Sequence, residues 1–266
     1  MRKDFIDAAW DLLQQIPNRE GLKFLELSCG DAFLLERLVK EGVSATGTTY
    51  HDRQKDYIRG RDYPEGVHVD GGIDLNKPLP YADNSFDVVY STEVIEHLEG
   101  HRNFITESAR VLKPDGWFVM TTPNLHRLIS RIHFALTGVH LVKCPIFQVS
   151  EPLDRMEEFH HHCVDFVVLH WLMWNSGLRI EKMVPGYVHP VSRVLNLVAP
   201  LLRGFIKPAL QRYYPKDFAM DEARKDMLRW MSSKTLLGSE HICLLARKTG
   251  PTFANAPGTS TYYRKS

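Results

Sequence analysis

Apolar and polar positions along the first half of the chain follow two alternating periods. Short runs rich in apolar or β-branched residues predict strands, and apolar residues at intervals of three and four predict helices. The predicted strands cover 22–27, 43–50, 66–70, 85–91 and 117–122; the predicted helices cover 1–16, 32–41, 51–60 and 102–112, with a turn at 113–116. Strands and helices that alternate in this way indicate βαβ units and a mostly parallel, covered sheet.

The alternation weakens beyond Thr122. A helix at 165–175 with Asp165 as its N-cap, strands at 178–184 and 239–248, and an apolar helical segment at 190–214 are predicted there. We therefore predict one domain over 1–250 with insertions at about 125–160 and 186–236, followed by a flexible tail at 251–266.

Composition narrows the class of protein. The 266 residues are 44% hydrophobic and 24% charged, which suits a globular core, and the formal charge of +1 argues against a nucleic-acid-coating chain. Four cysteines without paired spacing favour a reducing compartment, and no apolar run is long enough to span a bilayer. We expect a cytoplasmic protein, with the inner membrane surface as the other location considered. Thirteen histidines are present, nine of them between His97 and His170.

The turn after the first predicted strand is the first candidate binding site, because ligands of parallel sheets bind beyond the carboxyl ends of the strands. Gly30 allows a tight turn in which backbone N–H groups can approach a ligand closely. A phosphate-binding loop is excluded by the absence of a GK[ST] sequence. The glycine pattern of dinucleotide-binding loops is also poorly met, since Ser28, Gly30 and Ala32 occupy the expected glycine positions.

Four segments together are more specific than this turn alone. They read ELSCGDA at 26–32, DL at 74–75, DNSFDVV at 83–89 and RVLKPDG at 110–116. In this order and spacing the chain, from about Leu22 to Leu245, resembles the class I S-adenosylmethionine (SAM) methyltransferases. The resemblance implies an α/β fold with a Rossmann-like seven-stranded sheet, an antiparallel last strand and helical lid insertions. It also implies SAM as the cofactor.

Cofactor contacts are likewise implied by the resemblance. The loop after the first strand would touch the methionine end and the sugar, Asp74 would border the adenine, and Tyr90 would line the methyl-donor side. The acid that usually binds the ribose is replaced by Thr49, for which Tyr50 or Asp52 can substitute. The full set is Glu26, Ser28, Gly30, Thr49, Tyr50, Asp74, Leu75 and Tyr90.

A second constellation lies at Glu93, Glu96 and His97, whose helical spacing predicts a common face. Two carboxylates and an imidazole suit Mg²⁺, Mn²⁺ or Zn²⁺. The pattern resembles ubiquinone-biosynthesis O-methyltransferases and small-RNA 3′-terminal 2′-O-methyltransferases, in which a further histidine downstream completes the metal site; here it matches His160. Many metal-free class I methyltransferases also carry an acid–histidine pair at this position. His97 and His160 are then the candidate catalytic bases.

Other histidines have less specific interpretations. His126, His133 and His140 recur every seven residues, which predicts a polar face of a basic helix or a site for an anionic substrate. His170 is predicted to be an ordinary packed or surface residue. The apolar, basic segment 188–214 predicts either a lid over the acceptor site or a peripheral membrane contact.

An O-methyltransferase is the leading functional prediction, since a hydroxyl acceptor needs a base or metal of the kind these residues offer. TTPN at 121–124 and LLGSE at 236–240 resemble methyltransferases of bacterial polysaccharide and lipopolysaccharide synthesis, which favours a sugar hydroxyl as acceptor. A phenolic or quinone-type metabolite is the alternative acceptor. A degenerate SAM-fold binding subunit is the non-enzyme alternative. The expected partner is a small molecule or glycan, with no nucleic acid.

Overall fold

The computed structural model of the chain describes residues 4–50, 63, 65–141, 160, 162–195, 197, 201, 204–209 and 218–249. Its seven strands are β1 (Lys23–Glu26), β2 (Ser44–Thr48), β3 (His68–Asp70), β4 (Phe86–Thr92), β5 (Leu112–Pro123), β6 (Leu178–Pro185) and β7 (His241–Lys248). The helices are α1 (Phe5–Leu13), α2 (Phe33–Lys40), α3 (His101–Val111), α4 (Leu128–Thr137), α5 (Phe166–Asn175), α6 (Pro190–Leu195), α7 (Phe218–Met231) and α8 (Lys234–Gly238). A 3₁₀ turn covers Ile95–His97, and 204–209 is also helical.

The strands form one sheet in the order β3-β2-β1-β4-β5-β7-β6. Neighbours from β3 to β5 are parallel, whereas β7 runs antiparallel to both β5 and β6. The predicted seven-stranded sheet with an antiparallel last strand is confirmed. Because β7 is reversed, its first residue His241 pairs with Pro123 at the end of β5. The carboxyl ends of β1, β4 and β5 and the start of β7 therefore meet at one edge, called here the site edge.

Helices cover both faces of the sheet and supply the core. Ala8, Ala9, Leu12 and Leu13 of α1 are fully buried against residues of β4, β5 and β7. The opposite face packs α3 and α5 over the same central strands, with Phe104 and Phe166 almost completely buried. Burial of apolar surface on both faces holds the central strands rigidly. The loops at the site edge are thus presented from a fixed base.

Most predicted elements are confirmed, including α5 with its N-cap. The Asp165 carboxylate accepts hydrogen bonds from the N–H groups of Val167 and Val168. The separate turn predicted at 113–116 is wrong, because β5 begins at Leu112 and these residues form an irregularity between two registers of its pairing with β4. The helix α7 was not predicted. The predicted helix at 51–60 and the tail at 251–266 lie outside the described residues.

The two predicted insertions are described only in part. Between β5 and α5 the structure describes α4, and between β6 and β7 it describes α6, α7 and α8. Among the helices described, none is both long and apolar enough to cross a bilayer.

Candidate functional site

The loop between β1 and α2 owes its shape to three residues in the left-handed backbone region. Ser28, Gly30 and Ala32 have φ angles of 58°, 53° and 58°. Only glycine adopts this region without cost, so two of the three positions carry backbone strain. Thr48 at the end of β2 holds the loop, since its hydroxyl accepts from the Ser28 N–H (2.9 Å) and its carbonyl accepts from the Cys29 N–H (2.9 Å).

Glu26 lies at the base of this loop and is 2% exposed. Its carboxylate accepts a hydrogen bond from the hydroxyl of Tyr90 at 2.9 Å. Burial raises the pKa of Glu26 to about 8, although the hydrogen bond from Tyr90 opposes the shift. Burial also raises the pKa of Tyr90, so the phenol stays a donor. Glu26 is therefore a buried carboxylic acid that would ionise readily beside a cation.

The space around this loop fits the cofactor that the sequence predicts. A Cβ atom built on Gly30 would meet no atom of the described residues within 4 Å, apart from its chain neighbours, so the backbone there is open to a ligand. Ser28 is exposed beside it, and the Glu26 carboxyl stands below. An ammonium or sulfonium cation would relieve the cost of a buried carboxylate. These residues are therefore chemically suited to the methionine end of SAM.

The other predicted cofactor residues lie just after two strands. Thr49 and Tyr50 follow β2, and Asp74 and Leu75 lie in the loop after β3. Thr49 is 8% exposed, and its backbone bonds to Asp70 and Ile73. Tyr50 is 56% exposed and Leu75 is buried. Asp74 accepts from both the backbone and the side chain of Asn76, and lies 3.2 Å from Lys77 Nζ. The carboxylate of Asp74 thus also stabilises its own turn.

Glu93 does not continue a helix, contrary to the spacing argument. Its φ angle is 53°, and its N–H donates to the carbonyl oxygen of Thr121 at 3.1 Å and to the Thr121 hydroxyl at 3.2 Å. The helical turn begins only at Ile95 and is a 3₁₀ turn. The two carboxyl groups are nevertheless close enough for Glu93 to lower the pKa of Glu96. Strain in a non-glycine residue is common at functional sites.

Glu96, His97 and His160 come together at the site edge. One ligand atom from each lies within 4.8 Å of the others, and the two imidazole rings are 4.9 Å apart, edge to face. Glu96 is fully buried, and its Oε2 accepts from the Thr122 hydroxyl at 3.0 Å. Among the described residues, its Oε1 has no hydrogen-bond partner. A carboxylate and two imidazoles that converge on one point form a donor set for a divalent cation.

Burial also changes the acidity of this cluster. The pKa of Glu96 is raised to about 7 by burial, against hydrogen bonds from Thr122 and Glu93 that lower it. The buried Oε1 without a hydrogen-bond partner is costly unless a cation or a proton satisfies it. His160 Nε2 lies 3.9 Å from that oxygen. The cluster therefore fits a metal ion, and it also fits a proton carried by the Glu96 carboxyl group.

Backbone contacts bring His160 to the cluster from a distant part of the chain. The N–H of His162 donates to the carbonyl oxygen of Glu96 at 3.1 Å. The thiol of Cys163 lies 3.6 Å from the carbonyl oxygen of His160. Residues 160 and 162–165, named here the His160 segment, thus lie against the 3₁₀ turn.

His241 is a site residue that sequence reasoning missed. It is 8% exposed at the start of β7, and its Nε2 lies 3.4 Å from Oε2 of Glu93. The ring also packs against Phe5 of α1 at 5.1 Å. A signal for it existed, because an antiparallel last strand must begin at the site edge.

The other histidines singled out in the sequence, His126, His133, His140 and His170, make structural contacts. Only His133 of the predicted heptad series lies in α4; His126 precedes the helix and His140 follows it, so the common helical face is wrong. His140 stacks on Phe134 with a ring separation of 4.4 Å. His170 is 2% exposed and bonds to Asp226 at 2.8 Å, which pins α5 to α7.

Comparisons with known proteins agree with this geometry. A family model described as a methyltransferase domain matches residues 25–120. A protein of Sinorhizobium medicae named ubiquinone biosynthesis O-methyltransferase is 31% identical over 67% of this chain and 68% of its own length. A protein of the same name from Parvibaculum lavamentivorans is 27% identical over 65% of each chain. A SAM-dependent methyltransferase structure from Archaeoglobus fulgidus shares the fold, with a TM-score of 0.51, 17% identity, and coverage of 92% of this chain and 95% of that one.

Proposed function

This chain belongs to the class I SAM-dependent methyltransferases, and we propose that it transfers the methyl group to a phenolic hydroxyl of a quinone-type metabolite. The enzyme class follows from the family, and the acceptor is the proposed part. Relatives named ubiquinone biosynthesis O-methyltransferase support a phenolic acceptor. The predicted sugar hydroxyl of a polysaccharide has no comparable support among the relatives. Membership of an enzyme family likewise favours catalysis over a degenerate binding subunit.

The observation that carries an oxygen acceptor is the cluster of Glu96, His97 and His160. A neutral hydroxyl is a poor nucleophile at neutral pH, so O-methylation requires a group that removes or acidifies its proton. Both imidazoles lie at the site edge beyond β4, the next strand to the one that ends at Glu26. The acid–imidazole cluster is therefore suited to the acceptor side and the β1–α2 loop to the donor side.

SAM, when bound, supplies a methyl group on a positively charged sulfur. We assign its methionine end to Glu26, Ser28 and Gly30, and its remaining contacts to Thr49, Tyr50, Asp74, Leu75 and Tyr90. Glu26 balances the cationic charge, while the open backbone at Gly30 allows close approach. Alignment of donor and acceptor by these residues is the larger part of catalysis in an in-line transfer.

We further propose that Glu96, His97 and His160 hold a divalent cation, with Glu93 beside them. The unsatisfied Oε1 of Glu96 and the two imidazoles fit such an ion. A bound Mg²⁺, Mn²⁺ or Zn²⁺ would supply the charge that acidifies the acceptor hydroxyl. Glu93 favours the ionised form of Glu96, because it lowers the pKa of that carboxyl. If no metal is used, His97 or His160 takes the proton of the attacking hydroxyl on a ring nitrogen.

The acceptor is tested with SAM carrying a labelled methyl group. A prenylated catechol and a hexose-containing lipopolysaccharide precursor are offered in parallel, and the products are analysed by mass spectrometry. We expect the label on a phenolic oxygen of the catechol. Transfer to the sugar alone would overturn the phenolic proposal and restore the glycan acceptor. Transfer to neither acceptor, with SAM bound normally, would also count against the proposal.

The metal is tested in the same assay. Turnover should fall at least about 100-fold after removal of divalent ions with a chelator and return on addition of Mg²⁺, Mn²⁺ or Zn²⁺. Equal rates before and after chelation would remove the metal from the proposal and leave an imidazole as the base.

A further inference from the structure

A second polar cluster stands next to the candidate site, centred on His126. This residue lies three positions after the end of β5, and its Nε2 is 2.7 Å from Oδ2 of Asp165. Its other ring nitrogen, Nδ1, is 3.0 Å from an NH₂ group of Arg131, whose Nε also donates to the His126 carbonyl oxygen at 2.9 Å. The three side chains thus form a continuous Arg131–His126–Asp165 chain of hydrogen bonds.

The direction of this chain follows from its donors. A guanidinium can only donate, so Nδ1 of His126 must accept from Arg131 and carry no proton. Nε2 then carries the ring proton and donates it to Asp165. Partial burial raises the pKa of the Asp165 carboxyl, but His126 and the N–H groups of Val167 and Val168 together outweigh this effect, so the pKa is lowered. His126 is therefore oriented from both sides.

Asp165 performs two tasks at the point where the His160 segment enters α5. Its Oδ1 caps the helix through the N–H groups of Val167 and Val168. Its Oδ2 takes the bond from His126. Capping alone leaves the approach of the preceding residues open, whereas the second bond fixes Asp165 relative to the end of β5. The far end of the His160 segment is thereby attached to the sheet.

The frame that carries His126 is itself held firmly. Asn124 is 2% exposed and donates to the carbonyl oxygens of Leu236 and Ser239 at 2.6 and 2.9 Å. Its Oδ1 accepts from the N–H of His126 at 2.8 Å. The ring thus projects from a backbone that one distant segment, 236–239, already fixes.

We propose that His126 is a positioning residue that holds the His160 segment, through Asp165, in the place where His160 meets Glu96 and His97. The inference rests on the proposed function for the role of that cluster, but the contacts that carry it do not depend on the acceptor. In this arrangement the N–H of His162 bonds to Glu96 near the start of the His160 segment, and the His126–Asp165 bond holds its end. Loss of the His126–Asp165 bond removes the side-chain contact that fixes Asp165 relative to the end of β5.

Two substitutions at the same position separate positioning from packing. His126→Phe keeps a ring against Phe166, which lies 6.2 Å from the native imidazole, but cannot donate to Asp165. His126→Gln can place an amide N–H near the native Nε2 and restore the donor. Asp165→Asn provides an independent variant. The asparagine carbonyl oxygen can still cap the helix, and the NH₂ group that then faces Nε2 of His126 cannot accept a hydrogen bond.

Cys163 reports on the His160 segment without any assay of activity. It is half-buried, whereas Cys29 and Cys243 are buried; Cys144, outside the described residues, is replaced by serine in all proteins tested. We expect a thiol reagent to modify Cys163 about fivefold faster in His126→Phe and Asp165→Asn than in the parent, and at the parental rate in His126→Gln. Melting temperatures should change little, since the helix cap and the ring packing persist.

Cobalt alone serves as the probe of the cluster. Its visible absorption bands report coordination, and we expect about tenfold weaker binding in His126→Phe, with recovery in His126→Gln. Parental Cys163 reactivity in both His126→Phe and Asp165→Asn would overturn the proposal. Faster modification of Cys163 with unchanged cobalt affinity would also overturn the proposal. If the parent binds no cobalt, the metal proposal fails and the Cys163 rates, measured with the rate of methyl transfer, decide the positioning role alone.

Discussion

The donor and acceptor sides of the site are built in different ways. The donor side comes from one contiguous stretch, Glu26 to Ala32, whose function depends on backbone shape and on one buried carboxyl. The acceptor side combines side chains from the turn after β4, the His160 segment and the start of β7. A local loop needs only its strand and helix to form, whereas the acceptor cluster needs the whole sheet. The two sides should therefore respond differently to mutation.

Removal of the Glu96 carboxylate should have the largest effect, and it should change the acceptor side of the site only. Glu96→Ala is expected to lower kcat at least about 100-fold, because the two imidazoles lose the group that pairs with them. SAM affinity measured by calorimetry should stay within about twofold of the parent, since the donor loop is untouched.

Glu99→Ala is the matched control for this substitution. It removes an exposed carboxylate three residues later, and both kcat and SAM affinity should be unchanged. Equal losses of kcat and SAM affinity in Glu96→Ala would contradict the separation of the two sides.

Proton release on SAM binding should reveal the donor side. With a pKa of about 8, Glu26 is protonated in the free protein at neutral pH, and a bound cation favours its ionised form. SAM affinity should therefore rise by about tenfold as the pH increases from roughly 6.5 to 8, with nearly one proton released near neutrality. Calorimetry in buffers of different ionisation enthalpy measures both quantities.

Glu26→Gln should make SAM affinity independent of pH and weaken it about tenfold near pH 8, consistent with loss of a charged hydrogen bond.

Glu26→Gln also tests how this carboxyl affects the free energy of unfolding. The folded pKa of Glu26 lies above its ordinary value of 4.5, so the native carboxyl destabilises the fold as pH rises between these values. A parent protein whose SAM affinity did not vary with pH would show that Glu26 is already ionised.

Relief of backbone strain should have the smallest effect on stability. It can be tested with a matched pair of glycine substitutions, one on each side of the site. Ser28 and Glu93 have φ angles of 58° and 53°, so glycine at either position should stabilise the protein by about 0.5 to 1 kcal/mol. Ser28→Gly should lose less turnover than Glu93→Gly, because the donor loop keeps its backbone shape. Glu93→Gly should gain similar stability but lose turnover with the carboxylate. Urea unfolding midpoints and kcat measure the two properties, and Ser28→Ala, which relieves no strain, is the control.

The sheet and the donor loop could be predicted from sequence because their determinants are local. Alternating periods define β1, α2 and β4, and the turn at Gly30 follows directly from its neighbours. The one misassigned turn, at 113–116, failed because pairing with β4 absorbed its residues into β5. Tertiary pairing overrode the turn signal there.

For the acceptor cluster, the family resemblance predicts which residues take part but not how they are arranged. Spacing suggested a shared helical face for Glu93 and Glu96, but the left-handed backbone at Glu93 breaks that geometry. His241 escaped notice because its contact with Glu93 depends on where β7 enters the sheet. The seven-residue spacing predicts a helical face for His126, whereas its side chain bonds to Asp165, which is 39 residues further along the chain. Such long-range contacts produce no periodic pattern in the sequence.

The place of β7 in the sheet has a consequence for biosynthesis. Because β7 lies between β5 and β6, the last of the described strands separates two strands that are made earlier. During synthesis on the ribosome, β6 cannot take its final position until β7 has emerged and inserted. The early strands β1 to β5 can assemble the donor loop first, while His241 reaches Glu93 only at the end. A nascent chain should therefore acquire affinity for the cofactor before it acquires the ability to turn over.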